Sequence, residues 1–162
     1  MRGYAAIFVL LGLLASLGWA PRVAAEDMLS PILVEGEDAV PEELALWELI
    51  EQQRYVRARE EAERYLAEHP ESYVAHLVLG SAQHYGEANF PKALFHEVQA
   101  LALFESKEGV EPAQTQPWRW HARILIALTR AHGDLEHYDE QLKFMLRYNE
   151  LYTPQLKAEM AW

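Results

Sequence analysis

No cysteine occurs among the 162 residues. That excludes disulfides, a cysteine nucleophile with a histidine base, and a lipid-modified amino-terminal cysteine. Glycine is thin as well, at 8 residues, and none is arranged as a phosphate-cradling loop. No serine sits in a nucleophile-elbow context, so neither of the common nucleophile arrangements is present. Cations are the scarcer charge: 14 Lys and Arg stand against 25 Asp and Glu, a net charge of −11. An acidic surface of this kind disfavours nucleic acid and anionic membranes, promotes solubility, and suits a basic or neutral partner.

What is present starts at the amino terminus. Arg2 precedes an apolar run over residues 5–14, and Val23-Ala24-Ala25 stands just before Glu26. This is the three-part layout of a secretory signal peptide, residues 1–25, with cleavage after Ala25. The alternative, an uncleaved anchor, has only the 17 residues 4–20 to work with, interrupted by Gly12, Ser16 and Gly18. Removal of the segment leaves 137 residues with 12 basic against 25 acidic groups, a net charge of −13 and the size of one domain. The expectation is an exported protein with no stable membrane insertion. The periplasm of a Gram-negative bacterium is the first choice of compartment and secretion the second.

Residues 26–41 form an acidic leader with Pro31 and Pro41 and a small apolar trio, Ile32, Leu33 and Val34. Beyond it the chain repeats itself at an offset of 35: Leu44 aligns with Leu79, Ala45 with Gly80, Tyr55 with Phe90, Ala58 with Ala93, and Leu66 with Leu101. Each unit carries a Leu-small pair, an aromatic, an Ala, and a late apolar pair. The first unit, 42–70, closes at Pro70, which cannot continue a helix. The second spans 71–105. A loop insertion at 106–117 holds Gly109, Pro112 and Pro117. The third unit, 118–154, is degenerate: Tyr138 lies 48 residues after Phe90, Gln141 replaces the small Ala, and Pro154 closes it. Residues 155–162 read as the start of a further or capping helix, with Leu156, Met160 and Ala161 at helical spacing, consistent with a longer repeat protein or docking on another subunit.

Six helices are expected, at about 41–52, 55–68, 73–85, 91–105, 117–132 and 138–151. Gly133 is expected as a left-handed cap of the fifth. On the second helix Arg57/Glu61, Arg59/Glu63 and Glu60/Arg64 stand four apart, each pair contributing only about 0.2–0.5 kcal/mol and marking the solvent side.

The 35-residue unit resembles the tetratricopeptide repeat family, in which units of about 34 residues make two antiparallel helices. The resemblance covers residues 42–154 and implies an all-α fold, a right-handed superhelix of about three antiparallel helix pairs. It also implies a ligand groove on the concave face lined by the first helix of each pair. Carried over position by position, the partner-binding residues are Leu77, Ser81 and His84 with Tyr85 beside them in the second unit, and Trp47 and Ile50 in the first. No basic set matching a carboxylate clamp is visible.

Little else suggests chemistry. His132 and His137 bracket a Gly-Asp turn and with Asp134 make the only local cluster of nitrogen and oxygen ligands, for which turn stabilisation is the favoured role over zinc. Trp118 and Trp120 flank Arg119 at the start of the fifth helix, either as core or, if one is exposed, as an anchor for a peptide or sugar. No catalytic residue, cofactor or metal is expected. The functional expectation is a protein-protein interaction scaffold in assembly or maintenance of a cell-envelope complex, binding a protein or peptide. The alternative is an accessory subunit that binds a small molecule or cell-wall glycan on the concave face or at Trp118/Trp120.

Overall fold

The computed structural model describes residues 40–110 and 118–159, with side chains as far as Pro154. The expected signal peptide, nearly all of the leader, residues 111–117 and the last apolar side chains, Leu156 and Met160, lie outside the described residues. Within them all regular structure is helical: α1 (Pro41–Glu51), α2 (Tyr55–Glu68), α3 (Tyr73–Glu87), α4 (Phe90–Glu108), α5 (Trp118–Asp134) and α6 (Tyr138–Glu159). The all-α expectation holds. Connections of two to four residues at 52–54, 69–72, 88–89 and 135–137 turn the chain back on itself, so consecutive helices there run antiparallel.

Helix starts follow local chemistry. Pro41 opens α1, where a missing N–H costs nothing, and Glu42 and Glu43 complement the helix dipole. Ser72 caps α3 by accepting from the Ala75 amide at 3.1 Å, and its hydroxyl donates to Glu43 Oε1 at 2.5 Å, tying the second pair to the first. Asn89 caps α4 through Lys92 N at 3.3 Å. α3 ends at Ala88, which adopts a left-handed φ of 51°.

Three expectations about boundaries and pairs need correction. Gly133 is not a left-handed cap. α5 continues to Asp134, the left-handed residue of the turn is Glu136 at φ 60°, and Gly133 instead makes room for the Gln141 side chain. Pro154 does not close the sixth helix, which runs through it to Glu159. Proline removes one amide and crowds the Glu150 carbonyl, but both residues are exposed, so that carbonyl has access to solvent, while Tyr152 anchors the helix on α5. Of the ion pairs on α2, Arg57–Glu61 forms at 3.8 Å, whereas Arg59 reaches across to Glu87 of α3 at 2.8 Å and Arg64 turns to Glu61 at 2.8 Å.

Packing depends on small residues where helices cross. Ala58, Ala62, Ala93 and Ala100 have no exposed surface. Gly80 of α3 lies so close to α4 that an added Cβ would sit 2.7 Å from Glu97 Cγ and 3.1 Å from the Ala93 carbonyl. Helix α3 is the centre of the stack and touches α1, α2, α4 and α5. One core cluster joins α1 to α5 through Leu46, Trp47, Ile50, Leu77, Val78, Phe104, Trp120 and Ile124. A second, of Ala122, Leu125 and Tyr152, seats α6.

Candidate functional site

Four of the six residues expected to face a partner are core residues. Leu77 is fully buried, and Ser81, Ile50 and Trp47 are nearly so. The correction has a physical cause: α3 is enclosed by helices on nearly every side, which buries Leu77 and Ser81, and Trp47 and Ile50 of α1 are drawn into the same core. Trp47 meets Trp120 edge to face at 5.7 Å, donates from Nε1 to Glu51 Oε1 at 2.7 Å, and carries the Arg123 guanidinium 5.1 Å over its ring. The Trp118/Trp120 region resolves similarly. Trp120 is buried, and half-buried Trp118 stacks on Tyr152 at 5.3 Å with Arg119 5.1 Å from its ring, so the pair offers no open aromatic platform.

The other two residues, His84 and Tyr85, lie where the carboxyl ends of α3 and α5 meet the amino end of α2. Gly86 lets α2 come close, since an added Cβ there would lie 2.6 Å from Tyr55 Cβ. The Tyr55 and Tyr85 rings are 5.9 Å apart. Arg130 of α5 donates to the Tyr85 hydroxyl, which holds a 44% exposed ring in place. His84 Nε2 is 3.2 Å from Asp134 Oδ2, and its ring lies against Tyr85 at 4.6 Å and Phe90 at 5.2 Å. The Arg59–Glu87 pair borders the patch. Burial pushes the His84 pKa down, Asp134 pulls it back up, and Arg130 lowers it again. The imidazole is therefore neutral at neutral pH and Asp134 turns to it, so Asp134 does not join His132 and His137. Those two rings stand 5.6 Å apart, and His132 stacks on Phe144.

Behind the patch lies Glu97, which is 1% exposed, with Oε2 lacking any hydrogen-bond partner. Burial raises its pKa to about 8, with Arg130 opposing the shift and Asp134 adding to it. It is a neutral acid at neutral pH. A signal for it was available: subtracting the repeat offset places Glu97 on Ala62, a fully buried slot. His76 and His96 came together without such a signal. Their Nδ1 atoms are 3.1 Å apart across α3 and α4. The rings are tilted by 33° with centroids 5.4 Å apart, and one Nδ1–H donates to the other Nδ1. Burial, then His76 and Lys92, lower the His96 pKa to about 4.

Among the described residues no three His, Asp or Glu side chains converge at metal-binding spacing. The α1/α2 surface carries a groove of about 520 Å³ lined by Ala45, Leu49 and Tyr65 with a charged rim, and none of the six expected partner residues lines it. Also among the described residues, no helix is long and apolar enough to cross a membrane. Compared with protein families, with curated proteins and with solved structures, the chain finds no match in any of the three.

Proposed function

We propose that this chain is an exported, non-catalytic interaction scaffold of the tetratricopeptide type, whose helix pairs coil into a right-handed superhelix and hold a protein partner in a cell-envelope assembly. The observation that carries the reading is the Tyr85 patch. An exposed tyrosine, clamped by an arginine and backed by a second tyrosine, supplies contact area at little entropic cost, and Tyr and Arg are the side chains on which binding energy concentrates. The chain's acidity suits a basic or neutral partner. The export reading rests on residues 1–25. The glycan-binding alternative has less support, because the tryptophan pair it relies on is engaged in packing.

Tyr85→Ala tests this. Capture of a saturable protein partner from an extract of the source cells should fall severalfold relative to the unaltered chain, while helicity and melting temperature stay close to it. His84 is left in place because it is mostly buried against Asp134. The control is Glu60→Ala with Glu63→Ala, exposed on α2 and outside the α1/α2 groove. Equal loss of capture in the control removes the patch as the binding surface.

A further inference from the structure

Helix α6 has three sides. Gln141, Phe144, Tyr148, Leu151 and Tyr152 lean towards α5 and are buried or half-buried. A second side is charged. The third carries Tyr138, Leu142, Met145 and Leu146, spaced at i, i+4, i+7 and i+8, and exposed by 64%, 49%, 42% and 56%. Isolated exposed apolar residues are ordinary, but four in one stripe mark a surface with an occupant.

The repeat itself says what kind of occupant. By the offsets of 35 and 48, Tyr138 and Leu142 are the counterparts of Phe90 and Leu94 in α4 and of Tyr55 and Arg59 in α2. Both α2 residues are covered by the next helix: Tyr55 lies against Gly86 and Tyr85 of α3, and Arg59 pairs with Glu87. Continuing along the face, Leu101 of α4, the counterpart of Leu66, packs with Ala122 and Leu125 of α5. Tyr138 and Leu142 thus stand where α2 receives α3, while the counterparts of Leu146, Val98 in α4 and Glu63 in α2, are themselves exposed and that of Leu101 is the exposed Asn149 at the far end of the stripe.

Charge selects the partner. At 100° per residue Asp139 and Glu150 border the stripe beside Leu146. The cations nearby are already engaged, Lys143 with Glu140 at 3.1 Å and Arg147 with Glu105 at 2.6 Å, so among the described residues Asp139 and Glu150 have no ion pair. A second copy would bring acidic border to acidic border on a chain of net charge −11. We propose that the α6 stripe is a docking face for an amphipathic helix of another protein, apolar on the contacting side and flanked by Lys or Arg that reach Asp139 and Glu150. This surface is separate from the Tyr85 patch and stands independently of the function proposed for it.

The probes are two synthetic helical peptides of about 18 residues with one Leu/Ala stripe, flanked by Lys in one and by Glu in the other. Each is titrated into the full chain by fluorescence anisotropy. The Lys-flanked peptide is expected to bind saturably and about tenfold more tightly than the Glu-flanked one, with the preference shrinking in high salt. Leu142→Asp with Leu146→Asp should weaken binding at least about tenfold, whereas Val56→Asp, at another exposed apolar position, should not. The variant Asp139→Lys with Glu150→Lys, checked for retained helicity because Asp139 lies in the first turn of α6, should reverse the preference between the peptides. Absence of saturable binding, an unreversed preference, or concentration-dependent dimerisation abolished by the Leu142/Leu146 change each overturns the proposal, the last by assigning the face to a second copy.

Discussion

Replacing Glu97 with Gln should stabilise the protein, and by more as the pH rises. The carboxyl group has a pKa of about 8 in the folded chain against an ordinary value of 4.5. A group raised in this way is protonated in both states below pH 4.5 and costs nothing there. Between pH 4.5 and 8 the unfolded chain releases a proton that the folded chain retains, so stability is lost progressively across that window and levels off above pH 8. With 1.36 kcal/mol per pKa unit, the cost is about 1 kcal/mol at pH 5 and about 3 kcal/mol at pH 7. Gln has the same shape, fits beneath Gly80 equally well, and cannot ionise. Whatever constant the amide adds at the unpartnered Oε2 position cancels between two pH values. The gain of Glu97→Gln over the unaltered chain, from urea unfolding with m-values checked for equality, should therefore be about 2–3 kcal/mol larger at pH 7 than at pH 5. A gain that does not change with pH would show that Glu97 is ionised in the folded state and refute the reasoning.

The histidines act in the opposite direction. Burial lowers the His121 pKa to about 3, and that of His96 is about 4, so both are neutral when folded and take up protons on unfolding once the pH drops below 6.5. The melting temperature should fall steadily from pH 6.5 towards pH 4, and His121→Asn should flatten that slope by close to one proton; an unchanged slope would place the acid sensitivity elsewhere. Gly80→Ala should destabilise, because the clash with Ala93 backbone and Glu97 Cγ, at about 1–3 kcal/mol, outweighs the helix-propensity gain of about 1 kcal/mol. Gly133→Ala meets only the mobile end of Gln141, 2.3 Å from Nε2, so the propensity gain should survive and the melting temperature should hold or rise. Equal destabilisation by the two glycine changes would contradict this contrast.

The arrangement of helices was legible because it is written in local terms. Apolar spacing with Pro41 and Pro91 places helix starts within a residue or two of where they occur, and the 35-residue offset marks Ala58 and Ala93 as buried contact points. The same offset marks the slot of Glu97 as buried, a consequence visible only when the residue is compared with Ala62 and not read as one more acid in an acidic chain. Sequence could not say that Pro154 is harmless to α6 or that Gly133 serves Gln141 in place of a turn, because both depend on what lies beside them in space. Nor could spacing show which side of α3 stays open. Family resemblance put Leu77 and Ser81 in a groove, and packing from four neighbouring helices closed over them, leaving Tyr85 exposed and His84 partly so. The pairings His84–Asp134, Tyr85–Arg130 and His76–His96 join residues 20 to 50 positions apart. Helix formation is decided by neighbours within one or two turns, whereas burial and side-chain pairing are decided by which helices meet, and only the tertiary structure brings those surfaces together.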